Sequence, residues 1–313
     1  GKISNRFAAA LKTVPGVELA AVASRDQARS DDFARKYGAA RAYANYQDVI
    51  LDREVDVVYI GLINSLHYEI TRQCLEHHKP VLCEKPLVTT YREADQLVTL
   101  ARENQTFLME ALWTRCMPAF LKAKSWVKAG RIGEVKLINA DFCYLGTYDP
   151  RNRQYNADLE GGSLFDVGIY PIDLATGILD EHPTSVTGLA KISSTGVDEA
   201  ASFSMIFPSG ALASLNCGFT VNAKREVVIY GTGGRIVLEN VSGPQWCDRY
   251  DDHDQLVEHF EERVPDGFVY QIRHCADLLN AGRLESDLIP WKDTLASAQI
   301  FDSLNRQWGL FKE

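Results

Sequence analysis

The sequence is poor in the features that decide a function quickly. Its seven cysteines (Cys74, Cys83, Cys116, Cys143, Cys217, Cys247 and Cys275) show no CxxC and no paired spacing. An odd, scattered set inside apolar runs argues against a disulfide framework and points to buried free thiols in a reducing, cytoplasmic compartment. Histidines are spread as thinly. His77 and His78 are neighbours on a helical stretch, where consecutive side chains point about 100° apart, a poor grip on one metal ion. No metal site is expected. No apolar stretch reaches the ~18 residues of a membrane span. Lysine and arginine (33) are outnumbered by aspartate and glutamate (42), for a net charge of -9. That balance speaks against nucleic acid as a partner, although a local basic group could still hold a small anion. No internal repeat or low-complexity segment stands out.

What is present is ordinary globular composition, 46% hydrophobic and 24% charged over 313 residues, a length that suggests two domains. Up to about residue 112 the chain alternates continuous apolar runs with amphipathic helices. The runs are "VELAAVAS", "DVVYIGLI", "PVLCEK" and "TFLMEALW". This is the pattern of a doubly wound parallel sheet covered on both faces. From 113 to 313 the pattern changes. "VKLINADFCYL" alternates with period two, and "SFSMIFPSGALASLNCGF" and "REVVIYGTGGRIVLEN" read as hairpins turning on Pro208-Ser209-Gly210 and Gly231-Thr232-Gly233-Gly234. The second domain is therefore expected to be α+β, built on a large open antiparallel sheet. The apolar faces of its strands, with few helices after them, suggest subunit contact in a homodimer or a dimer of dimers.

The chain opens as a helix with no strand before it. In a dinucleotide-binding βαβ unit, a strand and a glycine-rich turn precede such a helix, whose N-terminus faces the pyrophosphate. Gly1 fits the second glycine of that turn, with Ile3 inside it and Ser4 at the third small position. On that reading a first strand and first glycine precede Gly1. An ordinary helix cap explains Gly1 equally well by itself. The first apolar run ends in Ser24-Arg25, where such folds contact the adenosine ribose. A hydroxyl and a guanidinium suit the 2′-phosphate of NADP, while Asp26 keeps NAD open.

Two further segments carry chemistry. "PVLCEKPL" delivers Glu84 and Lys85 from an apolar run straight onto Pro86, at the carboxyl end of a parallel strand, where ligands bind in this architecture. "GGSLFDVGIYPID" places Asp166, Tyr170 and Asp173 at i, i+4 and i+7, on one face of a helix. A solvated helix face is the plain alternative, but Leu164, Phe165, Val167, Ile169 and Ile172 leave little of this helix to solvent.

"CEKPL", "LMEALWTR" and "GGSLFDVGIYPID", in that order, resemble the Gfo/Idh/MocA oxidoreductases, and more narrowly the dimeric dihydrodiol dehydrogenase and NADP-dependent D-xylose 1-dehydrogenase group. The likeness continues through "STGVDEAASFSMIFPSG" and covers essentially the whole chain. It implies a Rossmann domain joined to a domain whose open sheet makes the subunit contact. It also implies a cofactor path along Ile60, Leu62, Asn64 and His67, with Glu84, Lys85, Trp113 and Arg115 lining it, and a Lys85–Pro86 bond that is often cis. Lys85 would stand at the nicotinamide and substrate hydroxyl, with Asp166 and Tyr170 as the polar pair of the helix motif.

The chemistry is coherent. A tyrosine titrating near 10 is a weak base at neutral pH, and a nearby ammonium favours its phenolate. The expected activity is hydride transfer between NADP or NAD and a hydroxyl of a sugar or vicinal diol, with Lys85, Tyr170 and Asp166 as catalytic groups. The alternatives are a sugar ketone or aldehyde reductase using NADPH, and a non-catalytic dinucleotide-binding regulator.

Overall fold

Alternating apolar runs and polar-faced helices order the first part of the chain. In the computed structural model, which describes residues 1–311, the elements follow as α1 (Lys2–Leu11), β1 (Ala21–Ala23), α2 (Gln27–Tyr37), β2 (Arg41–Tyr43) and α3 (Tyr46–Leu51). Then come β3 (Val58–Ile60), α4 (His67–Glu76), β4 (Val81–Glu84), α5 (Tyr91–Glu103) and β5 (Leu108–Ala111). Local chemistry sets the boundaries. Asp26 caps α2 by accepting from Arg29 N–H (2.9 Å), and Gly38, at φ 81°, closes it in the left-handed conformation that glycine adopts freely. β1 and β2 form one parallel ladder, and β3, β4 and β5 form another in that order. Among the described residues no ladder joins β1 to β3.

These elements make one compact unit with residues 266–291, which return to it late in the chain. Leu108 N donates to Leu284 O (3.1 Å), and the Trp291 indole N–H donates to Leu108 O (2.9 Å). Arg6 binds Asp266 with both its Nε and Nη2 (2.8 and 2.9 Å) while its guanidinium lies 4.0 Å over the Phe268 ring. A division of the chain at residue 112 makes no provision for this return.

The second unit holds residues 89–91, 112–265 and the chain from Lys292 on. It contains α6 (Pro118–Lys128), opened by a proline at its first turn, and β6 (Val135–Cys143). A π-helical turn (Leu164–Gly168) runs straight into α7 (Ile169–Leu179). Seven strands follow: β7 (Ser185–Ile192), β8 (Asp198–Ile206), β9 (Leu212–Gly218), β10 (Val227–Gly231), β11 (Gly234–Leu238), β12 (Trp246–Tyr250) and β13 (Leu256–Glu261). Helices α8 (Phe268–Asn280) and α9 (Trp291–Gln307) close the described chain.

With β6, these strands form one eight-stranded sheet, ordered β13-β12-β11-β10-β6-β9-β8-β7. Every neighbouring pair is antiparallel except β6 and β9, which run parallel over seven residue pairs. Helices α6 and α7 cover one face, and the apolar residues of the strands turn toward it. Phe203, Met205, Leu215, Ile229, Ile236 and Leu238 are all buried. The other face is not the continuous apolar surface expected from the sequence. Exposed Leu189, Ile206, Leu212 and Tyr230 are interleaved there with Ser202, Ser204, Ser214 and Thr187. Period two fixes which residues share a face, but only packing decides which face is covered.

Candidate active site

In the first unit the candidate residues gather at the carboxyl ends of the parallel strands. β4 is wholly buried, and through residues 81–89 Lys85 is the one position that is not. The peptide bond from Lys85 to Pro86 is cis. Glu84 points inward. Its Oε1 accepts from the Tyr59 hydroxyl (2.6 Å), and Phe7 stacks on the Tyr59 ring at 3.5 Å. Burial pushes the Glu84 carboxyl up, while the Tyr59 bond and the Lys85 charge oppose the shift. His67 is also buried. Its Nδ1 donates to Pro86 O (2.8 Å), since a carbonyl can only accept, and its Nε2 lies 3.4 Å from Leu62 O. Glu84 and His67, expected on the cofactor path, are therefore braces for the turn that presents Lys85. Glu110, buried at the end of β5, holds the same turn by accepting from Leu87 N (3.0 Å). The signal for it was a carboxylate inside a buried strand.

Ile60 is buried in β3, and Asn64 begins a short 3-10 turn and is buried. Leu62 is half-buried. The Ser24 hydroxyl is taken up by the turn into α2, donating to Asp26 O (2.7 Å). Arg25 beside it is exposed and pairs with no carboxylate among the described residues. Ser4 Oγ donates to Gly61 O (3.1 Å). A Cβ on Gly61 would stand 2.9 Å from Ser4 Oγ and 2.8 Å from Tyr59 Cε1, so only glycine lets α1 and the end of β3 approach this closely. Gly1, at the N-cap of α1, has no side chain to bond the first amides of the helix. An uncapped helix start, a glycine-permitted approach and an unpaired guanidinium fit a dinucleotide.

In the second unit Tyr170 is buried near the start of α7. Its hydroxyl accepts from the Trp113 indole N–H (3.4 Å), and its ring leans on Phe142 with centroids 5.3 Å apart. The Arg225 guanidinium lies 4.5 Å from the centroid of that Phe142 ring. Asp166 sits on the π turn and gathers the loop after β6. Arg153 Nη2 donates to its Oδ1 (2.9 Å), while Gln154 Nε2 (2.8 Å) and the Tyr144 hydroxyl (3.4 Å) reach its Oδ2. Burial and the Asp166 charge push the Tyr144 phenol up, so it stays a neutral donor.

Two expectations are corrected here. Asp166 does not keep the i, i+4 and i+7 spacing with Tyr170 and Asp173, because it stands in a π turn that ends before both of them. Arg115, expected to line the cofactor, is only 2% exposed. Its Nε binds Asp173 (2.8 Å), its Nη1 binds Asp293 (3.0 Å) and its Nη2 binds Thr176 (3.0 Å). A guanidinium whose three nitrogens are engaged in a buried network is a structural hub. Tyr59, Tyr144, Gln154, Phe142 and Arg225 carried no signal in the linear pattern, since each gains its role from a distant partner. Among the described residues no cluster of three metal-ligating side chains occurs, and no helix is long and apolar enough to cross a membrane.

Comparison with known proteins bears on both units. A profile described as oxidoreductase family, NAD-binding Rossmann fold, matches residues 1–112, and the GFO/IDH/MocA C-terminal domain matches residues 120–237. A trans-1,2-dihydrobenzene-1,2-diol dehydrogenase of Danio rerio is 35% identical over 99% of this chain and 95% of its own length. The Homo sapiens protein of that name is 31% identical over the same shares, 99% and 95%. A 3-ketoreductase from Actinomadura kijaniata, crystallised with NADP and TDP-benzene, has a TM-score of 0.85 at 26% identity, covering 97% of this chain and 93% of its own. An aldose-aldose oxidoreductase from Caulobacter crescentus, crystallised with glycerol, has a TM-score of 0.86 at 24% identity, covering 96% and 91%, a likeness of fold.

Proposed function

The chain belongs to the Gfo/Idh/MocA oxidoreductase family, and from that premise we propose that it transfers hydride between NADP(H) and a hydroxyl carbon of a sugar or vicinal diol. The observation that carries the reading is Lys85, the one side chain of residues 81–89 that is not buried, at the end of a parallel strand. The dihydrodiol dehydrogenases among its relatives support the substrate class.

When bound, the cofactor supplies the hydride chemistry. Gly1, Ile3 and Ser4 would hold its phosphates, and Arg25 would favour the 2′-phosphate of NADP over the bare ribose of NAD. The chain's own task is the proton. The Tyr170 phenolate takes it from the substrate hydroxyl, and Lys85 supplies the positive charge that makes phenolate accessible near neutral pH. The indole N–H of Trp113 supports this role, because a donor to the phenolic oxygen stabilises its anion. Asp166 orders Arg153, Gln154 and Tyr144, groups suited to a hydroxylated substrate. The reverse reaction on a ketone is favoured by the likeness to the 3-ketoreductase. We further read the protein as a homodimer joined through the uncovered sheet face, working in the reducing cytoplasm that suits seven buried free thiols.

The test is absorbance of the reduced nicotinamide with NADP and NAD against trans-dihydrodiols and a panel of aldoses, in both directions. Turnover with NADP is expected. Tight cofactor binding with no turnover on any diol, aldose or ketose would overturn the enzyme reading in favour of a regulator.

A further inference from the structure

We propose that Asp198 is a positioning residue for proton transfer, its carboxylate reaching from the start of β8 to anchor the turn that presents Asp166 and Tyr170. This rests on the function proposed above. The π turn and α7 begin at Ser163–Leu164 without a side-chain cap of their own. Asp198, 2% exposed and more than thirty residues further along the chain, fills that place. One oxygen, Oδ2, accepts both from Ser163 Oγ (2.6 Å) and from Leu164 N–H (2.7 Å). An acceptor at the first free amides of a helix fixes where the helix starts.

The two glycines of "GGSLFDVGIYPID" now have a reason. A Cβ on Gly162 would fall 2.3 Å from Asp198 Oδ1, and Gly162 has φ +121°. A Cβ on Gly161 would fall 2.4 Å from Arg153 O. Both must be bare for the carboxylate and the loop of Arg153 and Gln154 to close on the turn. Asp166, three residues beyond Ser163, takes hydrogen bonds from that same loop. A π turn lacks the regular i to i−4 ladder, so its starting point decides where the first turn of α7 comes to lie. Tyr170 stands in that first turn. The anchor is costly, since Asp198 has no lysine or arginine partner among the described residues and burial pushes its carboxyl up to about 7. An apolar residue would suit stability better but would leave the helix start unheld.

The test compares Asp198→Asn and Asp198→Ala with wild type. The amide oxygen of asparagine can accept both bonds at the Oδ2 position, whereas alanine accepts neither. Turnover of Asp198→Ala should fall about 100-fold, the cost of a misplacement near 1 Å, with Asp198→Asn in between. The dissociation constant for NADP(H) should stay within about two-fold, because the groups proposed to hold it lie in the first unit. Amide hydrogen exchange over residues 163–170 should quicken in Asp198→Ala whether or not a substrate is known. A merely structural role would lower the melting temperature without the ordered loss of kcat. Wild-type kcat in folded Asp198→Ala, or unchanged exchange over 163–170, overturns the proposal. Should the wild type turn over no substrate, the functional reading falls, and exchange alone then upholds or sinks the anchor. If Asp198→Ala does not fold, Ser163→Ala removes one of the two bonds and carries the same test at a smaller effect.

Discussion

Replacing Arg115 by methionine should destabilise the second unit severely. The side chain is only 2% exposed, and it neutralises Asp173 and Asp293, 1% and 6% exposed. Methionine fills similar volume but leaves two carboxylates in a low-dielectric interior, one of them, Asp293, 2.7 Å from His182. Removing one partner of a buried ion pair typically costs about 3–5 kcal/mol. For a unit of this size each kcal/mol moves Tm by about 2–4 °C, so a fall of about 6–20 °C is expected. Arg115→Lys should lie between, since one ammonium cannot reproduce three separately directed nitrogens. Arg115→Met with Asp173→Asn should recover part of the loss, as neutral replacement of the whole network is often tolerated. Gly177→Ala should mimic the damage, because its Cβ would fall 2.3 Å from the guanidinium carbon. Scanning calorimetry reads the shift, with an NADP(H) titration of Arg115→Lys alongside. If Arg115→Met melts within about 2 °C of wild type while Arg115→Lys binds cofactor far more weakly, Arg115 belongs to the cofactor and the structural assignment is wrong.

Other expectations rest on the same geometry. Lys85→Met and Tyr170→Phe should each lower kcat by about 10²–10⁴-fold with cofactor affinity near normal. Their double variant should lose little more, and additive losses in steady-state kinetics would refute the coupling. Arg25→Ala should weaken NADP(H) far more than NAD(H) in fluorescence titrations, and an equal loss of both would remove the case for the 2′-phosphate. Asp198, beside Ser163 and the Cys217 thiol, holds its proton up to about pH 7 in the folded state and only to about 4 when unfolded. The native form thus binds the extra proton between those values, so its contribution to stability is present below pH 4 and lost as pH rises toward 7. Tm of wild type relative to Asp198→Asn should therefore decline across that window, and a flat difference would contradict the shift. Sedimentation at micromolar concentration should show a dimer, and a monomer there would exclude the sheet face as an obligate interface.

Apart from β2, whose three residues Arg41–Tyr43 form no apolar run, the alternation of apolar runs and amphipathic helices was legible to within a few residues up to β5, because buried parallel strands leave uninterrupted apolar stretches. Gly38 ends α2 for a local reason, its freedom at positive φ. The "PVLCEKPL" segment announced itself too, since only Lys85 breaks its burial. β12 and β13 were not visible. Residues such as Asp248, Arg249, Glu258 and His259 face one another across an edge ladder and look like loop when read singly. The spacing from Asp166 to Asp173 misled for a different reason, as no linear pattern marks a π turn inside a helix buried on all sides. Arg115 was the hardest case. Its partners lie 58 and 178 residues away, and a buried guanidinium reads in sequence like one waiting for a ligand.

The parallel pairing inside the eight-stranded sheet, β6 with β9, has a consequence for how this protein could diversify. Leu137 and Leu212 face each other across it, some 75 residues apart in sequence, and seven successive pairs stitch the ladder shut. The segment from Tyr144 to Ser163, together with α7, lies inside the closed circuit. Lengthening a loop within such a circuit does not shift the ladder that closes it, and doubling its length costs only about 0.6 kcal/mol of closure entropy. Insertions between Tyr144 and Asn156 can therefore remodel what the protein accepts while the strand register and the helix bearing Tyr170 stay where they are. Descendants of this sequence that differ in substrate should differ first in the length of that loop.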